Sequence, residues 1–476
     1  MKTKIIILQS IAIGLLLVLL ISHYISFSKK EVITREELSV GEATIAYSPP
    51  SPKFALSDIS SLVKGLKENF TPTIDQITDE IFLARGYMLG SIGMVKTSAG
   101  LVLVDAGENK EIAGDILREL KEIADLPVQY ILLTHGHLDH VLGLPALVED
   151  DTKIIASAEA ELVMEKDLQW LKPYHQWARS TQFGDVSDEY SLKRFIDLPF
   201  NPDKEWEVIM PAQTFSDHYK FEFGGKTFEL FLGPGETEGQ IFIWIPEDKA
   251  LFCGDQYYES FPNLSSPMLE ARPVDRWIAS LQMMAELEPE YLIPSHTKPV
   301  LGKNNVKKVL QDRIRGITFV YDAVIAAINN GLNVEEAIAS ITFPKDLAEL
   351  PQFKESYGTL VWSIRGIYQR ETGWYDGRGS GLNPLPEKVK AQEIVQLAGG
   401  VDKILSRAIE LQKAGDHQLA CELCDIVIAA NADEKLARII KSFSLDYMSL
   451  SSNGNMMGFY RSAASLERKK AGYKIE

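Results

Sequence analysis

One short segment constrains the fold of this chain more than any other feature of its sequence. An apolar run at residues 130–133 predicts a buried strand, which ends at Thr134. Four metal-competent side chains follow within six positions: His135, His137, Asp139 and His140. His135 and His137 are two residues apart on an extended chain, so their side chains point to the same side. Imidazole and carboxylate ligands together suit zinc or another divalent metal. Three of the eight histidines lie here, so the segment predicts a metal centre rather than an ordinary polar loop.

Strands and helices alternate around this segment. Further apolar runs predict strands at residues 81–83, 101–104, 153–156, 228–232, 241–245 and 291–293. Helical patterns lie between some of them, at residues 111–124 and 275–286. After residue 303 the strand signal ends, and the sequence pattern of the remaining residues predicts helices. Beyond residue 388 it predicts about five short helices. This order predicts an α/β layered domain followed by helical domains.

The segment Thr134-His-Gly-His-Leu-Asp-His140 resembles the signature of the metallo-β-lactamase fold. The upstream segment Leu101-Val-Leu-Val-Asp-Ala-Gly107 is similar to the strand and Asp-Gly turn that precede that signature in the family. The resemblance implies an αββα sandwich with one or two metal ions at its edge, and it gives Asp105 a supporting role.

A departure from the usual family pattern points to one branch. Most members place a His before a Pro-Gly turn, where this chain has Leu232. The chain resembles the alkylsulfatase branch, in which a Glu after the Pro-Gly replaces that His, and Glu236 matches its position. Glu238, two residues on, is the rival candidate.

The same resemblance supplies the remaining metal ligands. Asp255 matches a carboxylate that bridges two metals, and His296 matches the last His ligand. The implied cofactor is two Zn²⁺ per chain, with other divalent metals possible. One zinc would be held by His135, His137 and Glu236, and the other by Asp139, His140 and His296. The carboxylates of Asp139 and Asp255 are the candidate catalytic groups.

The substrate pocket is a weaker match. The branch has the pattern Asn-Leu-Tyr-Thr-x-Arg-Gly after the bridging carboxylate, whereas this chain has Asn263-Leu-Ser-Ser-Pro-Met-Leu269. Asn263 is kept, but Met268 stands in place of the Arg. Arg272 is the candidate substitute, with a surface charge as the equal alternative. Tyr257, like its neighbour Tyr258, is a candidate pocket residue, with a place in the core as the alternative.

Domain boundaries follow from these patterns. The catalytic domain is expected at residues 76–303. Residues 304–399 resemble the alkylsulfatase dimerisation domain, which implies a homodimer, and residues 400–476 resemble the small helical C-terminal domain of that branch. Residues 1–28 are expected to be a membrane anchor or signal, and residues 29–75 a linker.

The N-terminal apolar run at residues 5–21, with its extension, covers roughly 31 Å as a helix, enough to cross a bilayer core. An uncleaved anchor is favoured over a cleaved signal because no small-residue cleavage site follows. The catalytic body is then expected outside the cytoplasm, in the periplasm or beyond, or secreted if the segment is cleaved.

Charge and cysteine content exclude other classes. With 49 basic and 66 acidic residues, the net charge is −17, which argues against nucleic acid as a partner. Three cysteines are too few for a disulfide framework, and Cys421 and Cys424 are expected to be two buried thiols on a helix.

The expected activity is cleavage of a small-molecule alkyl sulfate ester by a metal-activated water. One alternative is a metallo-hydrolase of another ester class, acting on a thioester, lactone, phosphodiester or β-lactam, and the missing Arg strengthens it. A second alternative is an anchored scaffold with a vestigial metal site. It is disfavoured because all seven ligand positions carry competent ligands.

Overall fold

Two β-sheets form the centre of the computed structural model, which describes residues 71–183 and 206–473. The first sheet has seven strands in sequence order: β1 Thr73–Gln76, β2 Ile81–Arg85, β3 Ile92–Lys96, β4 Leu101–Val104, β5 Val128–Leu132, β6 Lys153–Ser157 and β7 Gln213–Phe215. Strands β1 to β4 pair antiparallel, and β4 to β7 pair parallel. The carboxyl ends of β4 and β5 therefore meet at one edge.

The second sheet has six strands in the spatial order β13-β12-β11-β10-β9-β8. Their bounds are β8 His218–Phe223, β9 Lys226–Leu232, β10 Ile241–Ile245, β11 Ala250–Gly254, β12 Tyr291–Pro294 and β13 Val300–Leu301. Strands β11 and β12 pair parallel, and the other neighbours pair antiparallel. As a result β9, β11 and β12 run in the same direction and end at the same edge.

Apolar side chains on both faces of each sheet are buried. Along β4, Val102 and Val104 lie in the core between the two sheets, while Leu101 and Leu103 lie in the core under the outer helices. Strand β10 behaves the same way in the second sheet. Alternate side chains of a strand point to opposite faces, so a continuous apolar run predicts a strand covered on both sides.

Helices cover the outer face of each sheet and complete an αββα sandwich, which confirms the predicted fold class. The first sheet packs against α1 Lys110–Ile123, α2 Leu138–Val141, α3 Leu144–Leu147 and α4 Ala158–Glu165. A π-helical turn, Lys166–Trp170, and α5 Lys172–Gln182 follow α4. The second sheet packs against α6 Val274–Glu286 and α7 Lys303–Asn329.

The rest of the described chain is helical, as predicted. The helices are α8 Val334–Ser340, α9 Lys345–Ala348, α10 Leu360–Thr372, α11 Glu387–Leu397, α12 Val401–Ala414, α13 His417–Ala430, α14 Lys435–Leu450 and α15 Gly454–Ala471. Two short 3₁₀ turns, Pro351–Phe353 and Gly379–Gly381, lie among them. The Asn333 side chain accepts from the backbone of Glu335 and Glu336 and caps α8, as its sequence pattern predicts.

The described residues divide into two compact units. One contains residues 71–384 and 449–462, and the other contains residues 385–448 and 463–473. Within the first unit, apolar residues of α7 and α10 share a core with those of β10 and β12. Helices α7 and α10 therefore pack on the second sheet. The domain boundaries drawn from the sequence stay predictions.

The expectation of a transmembrane protein is corrected by the structure. No helix within residues 71–183 and 206–473 is long and apolar enough to cross a membrane. Helix α7 has the length, with 27 residues, but it carries Lys, Arg and Asp side chains along its course. Residues 1–28, on which that expectation rests, lie outside the described residues. The location of the catalytic body outside the cytoplasm stays a prediction.

Close packing of the two sheets predicts the effect of one substitution. A Cβ atom added at Gly93 on β3 would lie 2.5 Å from a ring carbon of Phe252, which is buried between the sheets. We expect Gly93→Ala to lower the free energy of unfolding by about 1–3 kcal/mol, the usual cost of overpacking. Urea denaturation measures this. Gly379→Ala is the control, since nothing lies within 4 Å of its added Cβ. Equal stability of the two variants would contradict the packing described.

Candidate metal centre

The carboxylate of Asp105 organises the edge where the strands end. Asp105 follows β4 in the left-handed backbone region, with φ of 61°, and is fully buried. It accepts hydrogen bonds from the backbone N–H of Thr134 at 2.7 Å and its hydroxyl at 2.8 Å, from His140 Nδ1 at 2.8 Å and from the Ser295 hydroxyl at 3.0 Å. These donors come from both sheets. Because an ionised carboxylate only accepts, Nδ1 of His140 must donate, which leaves its Nε2 free to bind a metal.

The histidines of the predicted segment converge as the sequence indicates. His135 and His137 follow β5, and their Nε2 and Nδ1 atoms lie 3.0 Å apart. Asp139 and His140 lie on the first turn of α2. His135 and His140 have ring centroids 4.1 Å apart. Gly90 fits tightly against this loop, because a Cβ added there would lie 1.9 Å from the carbonyl oxygen of Asp139.

Asp255 and His296 reach the same place from the second sheet, at the ends of β11 and β12. His296 Nε2 lies 3.0 Å from Asp255 Oδ2 and 3.6 Å from Asp139 Oδ2. Asp255 also lies 3.6 Å from His140 Nε2 and 3.9 Å from His135 Nε2. Two groups of ligand atoms compact enough for one ion result: His135, His140 and Asp255, and Asp139, His140 and His296.

These groups match the sequence-based assignment only in part. Asp139, His140 and His296 come together as one set, and Asp255 lies between that set and His135, where a bridging ligand belongs. His137 and Glu236 lie outside both compact groups. The division of ligands between two ions stays a prediction.

The donor set fits a divalent cation on two independent observations. Within the described part of the chain, His140 Nε2, Asp255 Oδ1 and Glu236 Oε2 are all buried without a hydrogen-bond partner. Buried polar atoms are rarely left unpaired, so these atoms indicate a missing partner. Burial opposes a charged His296, yet Asp255 and Asp139 raise its pKa to about 9. The carboxylates thus attract positive charge to this place, which a metal ion would supply.

The other two histidines are suited to bind as neutral ligands. Burial lowers the pKa of His135. Burial also lowers the pKa of His137, with His135 and Arg272 adding to the effect. A neutral imidazole offers the lone pair that a metal needs.

The two rival glutamates occupy different environments. Glu236, in the loop after β9, is buried, and its Oε1 accepts from Asn263 Nδ2 at 3.2 Å and from Arg272 at 2.5 Å. Glu238 lies nearer the surface and pairs with Arg276 and with Arg370. This geometry favours Glu236 as the side chain that faces the metal cluster.

The predicted substrate residues separate in the structure. Arg272 is buried, which argues against the alternative of a surface charge. Asn263 and Arg272 meet on Glu236, whereas Tyr257 lies in the apolar core beneath the second sheet, with Arg313 5.6 Å from its ring. Its neighbour Tyr258 is closer to the cluster, because its hydroxyl accepts from the Asn263 backbone and its ring lies 6.3 Å from that of His296.

Sequence reasoning missed one buried acid that supports the centre. Glu108 is fully buried, and it accepts from the backbone N–H of Leu89 at 2.7 Å and of Gly90 at 3.1 Å. Leu89 in turn accepts from His296 Nδ1 at 2.8 Å, which leaves Nε2 of His296 toward the cluster. Burial raises the pKa of Glu108 to about 8. The position of Glu108 three residues after Asp105 was the only sequence signal for this role.

Comparisons with known proteins agree with this geometry. A family model described as metallo-beta-lactamase superfamily matches residues 85–296, and one described as alkyl sulfatase dimerisation matches residues 333–470. The chain is 30% identical over 396 residues to a linear primary-alkylsulfatase of a Pseudomonas species, covering 80% of this chain and 74% of the relative. The chain therefore belongs to the metallo-β-lactamase superfamily of metal-dependent hydrolases, within its alkylsulfatase family.

Two further similarities are more distant. The chain is 23% identical to an alkyl/aryl-sulfatase of Saccharomyces cerevisiae, over 82% of this chain and 62% of the relative. The solved structure of the stereoselective inverting sec-alkylsulfatase Pisa1 from Pseudomonas sp. matches with a TM-score of 0.79 at 20% identity, covering 86% of this chain and 67% of that chain. At this identity the structural match supports the fold alone.

The hydrogen bonds of Asp105 predict a loss of metal affinity in Asp105→Asn. An amide keeps the shape but cannot accept from all four donors, so His140 and Thr134 lose their fixed orientation. We expect about 10- to 100-fold weaker zinc binding, measured by competition with a chelator. Asp115→Asn on the exposed face of α1 is the control, because Asp115 pairs only with Arg118. Unchanged zinc affinity in Asp105→Asn would refute this role.

Proposed function

We propose that this protein is a dinuclear zinc hydrolase that releases sulfate from an alkyl sulfate ester. The observation that carries the proposal is the convergence of five metal-competent side chains in two compact groups at one edge of the sandwich. His137 lies beside His135, and Glu236 is held by a buried Asn and Arg. The relative with 30% identity, whose printed name is linear primary-alkylsulfatase, supports the substrate class.

In this proposal the described side chains have distinct roles. His135, His137 and Glu236 would hold one zinc, Asp139, His140 and His296 would hold the other, and Asp255 would be shared by both. When bound, the metals supply Lewis-acid activation of water and stabilisation of the leaving oxygen. Asp105 and the Leu89 carbonyl keep His140 and His296 in the tautomers that leave Nε2 available.

The substrate side of the centre is arranged around Glu236. Asn263 and Arg272 each donate to Glu236 Oε1 and fix its orientation, while Oε2 is left without a hydrogen-bond partner in the described structure. In this arrangement Arg272 therefore orients Glu236, a proposed metal ligand. The backbone of Asn263 is itself held by the Tyr258 hydroxyl at 2.6 Å.

Hydrolysis of another ester class is the second candidate, favoured by one observation. Met268 stands where the related branch has an Arg, and Arg272 is already paired with Glu236. A site without a free cation would suit a neutral ester or lactone better than a sulfate ester. The product that the protein releases from each ester distinguishes the two candidate functions.

Sulfate release tests the proposal directly. We expect the zinc-loaded protein to hold about two zinc ions per chain and to release sulfate from octyl or dodecyl sulfate. Removal of metal by a chelator should abolish this activity, and zinc should restore it. His137→Ala should lower both the metal content and the rate at least about 100-fold. The control is His218→Ala, since His218 lies beside Glu229 on the edge strand β8, three strands from β11.

The same preparation should be offered an aryl sulfate, a phosphodiester, a lactone, a thioester and a β-lactam. Turnover of one of these without any release from alkyl sulfates would overturn the sulfatase proposal and leave the metal centre intact. Full metal content and full activity in His137→Ala would overturn the ligand assignment.

We also propose that the chain forms a homodimer, which the match to the dimerisation family model supports. Four large apolar side chains are exposed on or next to α11: Leu385, Val389, Ile394 and Leu397, the last 79% exposed. Exposed apolar groups that cluster on one helix are typical of an interaction surface.

An aspartate in this surface should therefore weaken the dimer. We expect Leu397→Asp to shift the sedimentation equilibrium toward monomer, because association would bury an uncompensated charge. Leu301→Asp on β13 is the control, as Leu301 is exposed but lies on the catalytic sandwich. A wild-type chain that sediments as a monomer would contradict the dimer, and an unchanged dimer in Leu397→Asp would exclude this surface.

A further inference from the structure

Arg179 is a buried cation that has no carboxylate partner among the described residues. It lies on α5 and is 8% exposed. Its Nη1 donates to the neutral amide oxygen of Gln182 at 3.0 Å, and its Nε is buried without a hydrogen-bond partner among the described residues. A buried guanidinium is normally paired with an acid, because taking a charge out of water is costly. Among the described residues Arg179 therefore has no counter-charge, and an anionic ligand could supply one.

Arg179 belongs to a row of polar groups that leads to the metal cluster. Gln182 Nε2 donates to the Tyr357 hydroxyl and to Asn455 Oδ1, both at 3.0 Å. The Tyr357 ring lies 6.4 Å from that of Tyr258, and Tyr258 lies beside His296.

The positive charge of Arg179 also affects Tyr357, which is a member of this row. Burial raises the pKa of Tyr357 to about 12, and the positive charge of Arg179 acts against that rise. The charge of the guanidinium therefore acts on the Tyr357 hydroxyl.

The cation expected from the sequence is engaged elsewhere. Arg272 donates to Glu236 Oε1 at 2.5 Å, so its charge is compensated inside the site. Met268 has no charge, and its carbonyl oxygen accepts from the Tyr174 hydroxyl at 3.0 Å. Tyr174 lies on α5, the helix that carries Arg179. Helix α5, which contacts the Met268 loop through Tyr174, thus also carries the cation Arg179.

We propose that Arg179 binds the sulfate group of the substrate and compensates for the arginine that Met268 replaces. Its Nε–H and Nη2–H groups form one side of a planar guanidinium, which can donate to two oxygens of one sulfate group. The ligand class is a monoanionic alkyl sulfate or the corresponding alkanesulfonate. This inference rests on the proposed function and names the residue that selects the anion.

The test measures binding rather than turnover alone. Zinc-loaded wild type, Arg179→Met and Arg179→Lys are titrated with octane-1-sulfonate, which cannot be hydrolysed, and with octan-1-ol as the neutral analogue. We expect Arg179→Met to bind the sulfonate about 10- to 100-fold more weakly, as for loss of a charged hydrogen bond, with octanol binding unchanged. Arg179→Lys should lie between the two, because it keeps the charge and loses the fork.

Three results would overturn the inference. One is sulfonate affinity in Arg179→Met equal to that of wild type. Another is an equal loss for sulfonate and octanol together with lost zinc, which would indicate a structural role. The third is failure of Arg179→Met to fold combined with wild-type sulfonate affinity in Arg179→Lys. Arg118→Met on α1, an exposed site, controls for loss of one positive charge.

Failure of the proposed function gives a different result. Wild type would then release no sulfate from octyl sulfate, whatever the affinities for octane-1-sulfonate. The sulfonate titration would still decide whether Arg179 binds the anion.

Discussion

The buried carboxylate of Asp105 is the constraint on which the site depends. It joins the loop after β5, the first turn of α2 and the loop after β12 through four hydrogen bonds. Loss of a buried hydrogen bond of this kind costs about 1–3 kcal/mol per unsatisfied group. Asp is also one of the few residues that accept the left-handed backbone found at this position. One residue therefore fixes both the meeting of the two sheets and the orientation of His140.

The parts of this protein that were predictable from sequence are those determined by local pattern. Strands such as β4 and β10, buried on both faces, were identified because their apolar runs are continuous. Strand β8 was missed because it is exposed on one face and only half-buried on the other. Strand β3 has a glycine at position 93, where the Phe252 ring of the opposite sheet leaves no room for a side chain.

The candidate site likewise has one part that the local sequence pattern predicts and another part that it does not. The histidines after β5 are close in sequence, so their convergence could be predicted from spacing. Three other contacts join segments at least 19 residues apart: the pairing of Arg272 with Glu236, the support of Leu89 by Glu108 and the approach of Arg179 to the site. Such contacts depend on how the loops pack, and no local pattern encodes them. The family resemblance supplied Glu236, Asp255 and His296, which spacing alone would not have assigned.

The electrostatics of the site is local and differs from that of the whole chain. The chain has a net charge of −17, which would repel an anionic substrate at long range. Within the site, Arg272 is compensated by Glu236, while Arg179 has no acidic partner among the described residues. Attraction for an anion would therefore arise at short range, from the metals and from α5.

Anomalous X-ray diffraction at the zinc edge from zinc-loaded crystals tests the central claim most directly. We predict two zinc peaks at the strand ends, one among Asp139, His140 and His296 and the other beside His135 and His137, with Asp255 between them. A single peak, or peaks away from these side chains, would contradict the two-metal centre on which the proposed hydrolysis rests.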